Sequence, residues 1–302
     1  MRVVRPAPLT LVSSNVPESP LPAWNPATAY TMGETVSHSP SGTLVYHEYE
    51  ALGDTTGDTP VIGGTVHWLD LGPANARAMF DPRVGTRTEH PEVIDVTVAP
   101  GVFFDQIALA RVSGVSVRVL VTRAGATLFD HTYSLLQEAS RWSDYFFDDL
   151  FIRRDSLSAS PAIFFADAQV RIIITTDPGA TAACGVLLIG RGLELGITLE
   201  QPVISIEDYS SKETDLFGNT YLLERPYSDL VSAQLVLDTA QVDTVKRILA
   251  TLRATPVLYD LNNADAEIDY DALRIFGFFE NFSVTINYPG KSYCRLDLQS
   301  LL

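Results

Sequence analysis

Residues 93–121 read VIDVTVAPGVFFDQIALARVSGVSVRVLV, and their spacing decides the fold class. Ile94, Val96 and Val98 alternate with Asp95 and Thr97, and Pro100-Gly101 then breaks the run as a turn. Val115 to Val121 alternates again for most of its length. A period of two sends one set of side chains to a core and the other to water, so both runs are expected as half-buried strands. Between them Gln106–Val112 is a third strand. Moving outward, Val170–Thr175 and Gly185–Ile189 repeat the pattern, with Ala-Gly-Ala and Asp-Pro-Gly turn signals separating several of the runs. Residues 74–195 are therefore expected to form a β-sandwich, jelly-roll-like, within a chain that is mainly β.

Residues 196–302 change character. Strands are expected at Val203–Glu207, Leu230–Leu237, Pro256–Leu261, Ile275–Ile286 and Ser292–Leu298. One helix interrupts them at Thr239–Arg253, where Val242, Val245, Ile248, Leu249 and Leu252 share a face. Asp238, with Gln241 three residues on, is the expected N-terminal cap, and Pro256 follows the end. A lone helix between strands implies an α+β domain with one helix on a sheet. At the other end, residues 1–21 are interrupted by Pro6, Pro8, Pro17 and Pro20, which predicts an extended N-terminal arm rather than a packed element. Residues 22–73 are turn-rich and aromatic, with short strands expected at Glu34–Ser37, Thr43–Ala51 and Val66–Leu69. Such a small module must fill its core with its own tryptophans and tyrosines.

The composition narrows the function. The 302 residues carry a formal charge of −16, with no Lys/Arg-rich segment, so a binder of nucleic-acid backbone is not expected. The charge is uneven: −5 over residues 1–73, −3 over 74–195 and −8 over 196–302. No run approaches the ~20 apolar residues of a membrane span, so no membrane insertion is expected. The first residues have no secretory apolar stretch. Cys184 and Cys294 each lie in apolar strands and are expected as buried free thiols in a chain folded in a reducing cytoplasm.

Motifs for chemistry are absent from the sequence: there is no G-x-S-x-G elbow, P-loop or G-x-G-x-x-G. His38, His47, His67, His90 and His131 have no zinc-site spacing. Two acidic clusters stand out in the sequence. Asp144, Asp148 and Asp149 stand among Phe146, Phe147 and Phe151, with Arg153 and Arg154 following, and read as a loop pinned by aromatic burial and ion pairing. Asn263, Asp265, Glu267, Asp269 and Asp271 have oxygens at a period of two, but lack a calcium loop's central glycine and terminal glutamate. They read as a solvated turn. No enzyme activity, metal or cofactor is expected.

The aromatic module carries the positive signal. Trp24, Tyr30, Gly33, Glu34, Val36, Gly42, Tyr46 and Trp68 follow W-x5-Y-x2-G-[DE]-x-V, then G-x3-Y, then a tryptophan before Gly72. This order resembles the small chitin- and cellulose-binding modules of carbohydrate-binding family 5/12. The resemblance implies a sugar ring stacked on a flat aromatic face. Trp68 is the first stacking candidate, with Tyr30 and Tyr49 next, while Trp24 and Tyr46 are weighed as core. His67-Trp68 stands where many members pair two tryptophans. The junction that follows, with Trp68, Gly72, Pro73, Asn75, Ala78, Met79, Phe80 and Asp81, resembles tail-associated proteins of tailed bacteriophages. Pro100, Gly101, Asp105, Ile107, Ala108 and Leu109 extend that likeness into the sandwich.

What these resemblances imply is a structural protein of a phage tail tip or baseplate, assembled in the host cytoplasm and resident in the virion. Its expected partners are other tail proteins, copies of itself and, through residues 22–73, host-surface polysaccharide. Two alternatives stay open: a receptor-binding fibre or adhesin whose main role is glycan recognition, and a polysaccharide hydrolase with an appended binding module.

Overall fold

The computed structural model describes residues 1–39, 44–81, 85–136, 154–199, 201–214, 217–263, 270–286 and 290–301. The fold is mainly β with one helix, as the alternation predicts. It comprises two compact units, Ala7–Ile189 and Met1–Pro6 with Gly190–Leu302.

In the first unit the alternating runs become strands β9 (Val93–Ala99) and β11 (Ser116–Arg123). Ile94, Val96, Val98, Val117, Val119 and Val121 are buried, and the residues between them face outward. With β2 (Thr10–Ser14), β12 (Ala126–Ser134) and β14 (Gln169–Thr175) they form a five-stranded antiparallel sheet ordered β12-β11-β14-β9-β2. On its polar face Arg171 forks onto Asp95 and Arg118 onto Asp130, so outward positions are tied across strands. A second layer comes from β8 (Thr88–Pro91), β10 (Gln106–Ser113), β13 (Ser156–Ala159) and the first part of β15 (Thr181–Glu194). Side chains of both layers share one core, in which Phe104, Ile107, Leu109, Leu135 and Ile172 are among the largest members.

The aromatic segment lies in the same unit with its own small core. The sheet β4-β5-β7 comprises β4 (Thr35–His38), β5 (His47–Ala51) and β7 (Trp68–Pro73), and beside it β3 (Ala29–Tyr30) pairs with β6 (Thr55–Thr56). A 3₁₀ turn at Asn75–Phe80 then buries Ala76, Ala78 and Met79.

In the second unit β1 (Arg2–Pro6) lies between Gly190–Glu194 of β15 and β21 (Val257–Asp260). The sheet continues through β22 (Arg274–Thr285), β23 (Lys291–Ser300) and β20 (Tyr227–Asp238). The far edge of β20 takes β16 (Ile197–Thr198) and β17 (Val203–Asp208). A separate hairpin follows, β18 (Ser211–Thr214) with β19 (Thr220–Leu223). Helix α1 (Val242–Thr251), entered through a 3₁₀ turn at Thr239–Gln241, buries Val245 and Leu249. These and Leu252 share a core with Val231, Ala233, Leu235 and Leu237 of β20.

Three expectations are corrected. Residues 1–14 are not an arm: Val3 and Val4 are buried in β1, and β2 is an edge strand. The prolines that suggested an arm close β1 at Pro6 and lie between the strands at Pro8, positions where a missing N–H costs no ladder bond. The break expected near residue 196 falls instead between Ile189 and Gly190. Asp238 makes no side-chain cap to the helix; its carboxylate accepts from Lys291 Nζ at 2.7 Å.

Candidate functional site

The aromatic module is assembled around three rings. Thr31-Met32-Gly33-Glu34 forms a tight turn in which Gly33 adopts φ 87° and Glu34 Oε2 accepts from Thr31 N at 2.8 Å. This turn joins β3, which carries Tyr30, to β4, which carries Val36. Tyr30, Val36, Tyr49, Ala51 and Trp68 make the core, with Trp24 packed on its margin. Tyr30 and Trp68 meet edge to face at 5.3 Å and 71°. The Trp68 indole N–H donates to Asp58 O at 2.8 Å, and Tyr30 Oη accepts from Asn25 N at 2.8 Å.

Burial therefore inverts the assignment of the rings. Trp68, Tyr30 and Tyr49, the expected stacking candidates, are buried and offer no face to a sugar. A core of five residues can exclude water only by using its largest rings, and Asp58 satisfies the indole that would otherwise need solvent. Trp24 is half-buried, edge-on to His38 at 5.1 Å. Tyr46, weighed as core, is 39% exposed with the Arg77 guanidinium 4.9 Å from its ring centre. Arg77 is held in turn by Glu18, through Nη2–Oε1 at 2.6 Å and Nε–Oε2 at 3.2 Å. Of the five rings, Tyr46 and part of Trp24 are the ones a ligand can reach.

Beneath this face lies a group that no spacing motif signalled. His47 is fully buried, with Nδ1 at 2.7 Å from Asp70 Oδ1 and Nε2 at 3.5 Å from Asp81 Oδ2. Asp70 also accepts from Gly63 N at 2.6 Å and Gly72 N at 3.0 Å. Burial alone pushes the imidazole pKa down, but the Asp81 and Asp70 carboxylates outweigh it and the value is raised. Burial likewise favours a protonated Asp70, yet the Gly63 and Gly72 N–H groups and His47 hold its carboxyl below the ordinary carboxylate value. The imidazole is closed to solvent and cannot touch a substrate. Its role is to clamp β5, β7 and the segment after the 3₁₀ turn.

The remaining candidates resolve simply. Asp144, Asp148 and Asp149 lie outside the described residues, as do Asp265, Glu267 and Asp269. Asn263 binds both the N–H and the C=O of Thr198, and Asp271 pairs with Arg274 at 2.8 Å. Among the described residues no group of three or more His, Cys, Asp or Glu is placed to hold a metal, and no helix is long and apolar enough to cross a membrane. Cys184 and Cys294 are free and buried, and burial pushes both thiols up to about 12.

A second surface emerges in the other unit. β17 is exposed along its whole length, and so is β19. Between them they carry Val203, Ile204, Ile206, Tyr221, Leu222 and Leu223 into solvent. Comparison with known proteins finds no family model that matches the chain, and no curated protein or solved structure that matches it.

Proposed function

We propose that this chain is a structural subunit of a bacteriophage tail, at the tail tip or baseplate, whose module at residues 22–73 faces host-surface glycans. The observation that carries the assembly reading is the run of uncovered apolar side chains from β17 to the start of β20. Contiguous apolar surface beyond a few hundred Å² marks a site of contact with a partner. The likeness of the Trp68–Asp81 junction to tail-associated proteins supplies the setting. Electron microscopy of virions carrying a label inserted in residues 22–73 tests the placement: density at the distal end of the tail is expected. A label on the capsid, or on no part of the virion, overturns it.

A second reading, an adhesin that chiefly recognises glycans, is favoured by the exposed Tyr46 ring held against Arg77. An amphipathic ring backed by a charged fork can pair a sugar's C–H face with its hydroxyls. Glycan-array binding by the full chain that is lost in Tyr46→Ala supports this reading, and silence from both the isolated chain and its assembly removes it.

A further inference from the structure

We propose that the β-ribbon formed by β17 with the start of β20, together with the β18–β19 hairpin, docks on the helix-bearing face of a second copy of this chain, joining copies head to tail. The inference deepens the assembly reading by naming the partner and the two surfaces. It rests on that reading only for its biological setting.

The ribbon has the geometry of an element built for a neighbour. β17 pairs with β20 from Val203↔Ser232 to Asp208↔Tyr227, and the hairpin pairs from Ser211↔Leu223 to Thr214↔Thr220. A two-stranded ribbon alone is marginal in water. This one is apolar on both faces: the register puts Ile204 and Ile206 on the face of Val231, and Val203 on the other. Likewise Tyr221 and Leu223 share one face of the hairpin and Leu222 takes the other. Val231 is buried in the core beneath α1, so the Ile204–Ile206 stripe continues a core face past the point where its own chain covers it.

The area is sufficient for a stable contact. Nine large apolar side chains between Val203 and Tyr227 are 45% to 91% exposed. Taken over both faces, side chains of this size present on the order of 1,000 Å², so a partner that wraps the ribbon reaches about 800 Å² per partner, the size of a standard interface.

Charge selects the occupant. The described residues between 203 and 232 hold five acidic and two basic residues, a net of −3. Residues 239–253 hold three basic residues and one acidic, a net of +2, in a chain whose total is −16. Lys246, Arg247 and Arg253 are exposed, and their side chains form no ion pair among the described residues. An acidic, apolar ribbon therefore finds its opposite charge on the helix of another copy, which also steers encounter. Because ribbon and helix are different surfaces, the contact is heterologous and propagates into a closed ring or a filament.

Sedimentation equilibrium and native mass spectrometry of the full chain test this. The wild type is expected to self-associate. Leu222→Asp, and separately Lys246→Glu with Arg247→Glu, should each weaken association on the order of tenfold or more. All three positions are exposed, so unchanged thermal melting verifies that the variants fold. Adding Glu213→Lys and Glu224→Lys to the helix reversal should restore association. As an independent arm, Leu222→Cys mixed with Arg247→Cys should form a disulfide between copies, the native thiols being buried. A wild type that stays monomeric, or association unmoved by both the apolar and the charge variants, overturns the proposal. Virion labelling fails or succeeds separately: a ring-forming chain absent from virions sinks the tail placement alone.

Discussion

Trp68 and Tyr46 are separated by what lies over their rings. Trp68→Ala empties the centre of a five-residue core and leaves Asp58 O without its donor, so about 3–5 kcal/mol of stability should be lost. Melting followed by tryptophan fluorescence and amide exchange in residues 22–73 measures that loss. Tyr46→Ala should shift melting by less than about 1 kcal/mol, as exposed positions do, and on the adhesin reading it also abolishes glycan-array binding. His47 predicts a pH dependence. Its folded pKa is raised, so its contribution is complete below the ordinary value of 6.5 and declines as pH rises through the folded value. Asp70 is lowered, so its share is complete above the ordinary 3.8 and is lost as pH falls through its folded value. The clamp should be strongest between pH 3.8 and 6.5, with the module's melting temperature falling on either side. His47→Ala, which removes the imidazole from between the Asp70 and Asp81 carboxylates, should flatten the alkaline limb and cost about 3–5 kcal/mol. A melting profile flat from pH 5 to 9 in the wild type would sink this account. The motif order marks out an aromatic segment but does not separate its exposed rings from its buried ones, because W, Y and W at these spacings are equally what a small core needs. Nothing in the spacing of His47, Asp70 and Asp81 distinguishes a buried clamp from three surface residues.

At the scale of elements, periodicity was enough wherever a face is covered. Val242, Val245, Ile248, Leu249 and Leu252 predict the helix, and Val245, Leu249 and Leu252 are buried in the sheet's core with Val242 and Ile248 packed against it. The junction of β22 and β23 adds a constraint the pattern does not display. A Cβ on Gly277 would collide with Gln299 O, a backbone atom of the paired strand. Gly277→Ala should therefore push the two strands apart and cost about 1–3 kcal/mol, read as a lower denaturation midpoint with faster amide exchange along both strands. Unchanged stability would mean the strands separate freely there. Proline misled at the N-terminus because its position within an element, not its frequency, decides whether a strand forms.

Over the whole molecule, the N-terminal strand β1 closes a sheet made from the last third of the chain. It fills the place between β15 and β21, pairing Arg2 with Glu194 and with Asp260. Deleting residues 1–6 should leave two strand edges unpaired and expose Val3's neighbours in the core, lowering the melting temperature of the unit at 190–302. Calorimetry of the truncated chain measures this, and a native-like transition would show that β1 is dispensable. Charge is uneven within residues 196–302 as well: an excess of basic residues on the helix segment 239–253 stands inside a stretch whose total is −8.

By itself the sequence determined the β-rich class, the one helix and those strands whose alternation marks a covered face, because these follow from spacing within a few residues, while β1 and β2 carry no such mark. Tertiary structure alone decided which aromatic rings are sealed, that His47 sits between Asp70 and Asp81, that β1 completes a distant sheet, and that the ribbon is left bare. Each of these depends on what lies opposite a side chain. Its partner there stands 23 residues away for His47 and Asp70, and 192 for Arg2 and Glu194. An alternating strand with a covered face and one with a bare face have the same local pattern, so only the packing distinguishes a core from an interface.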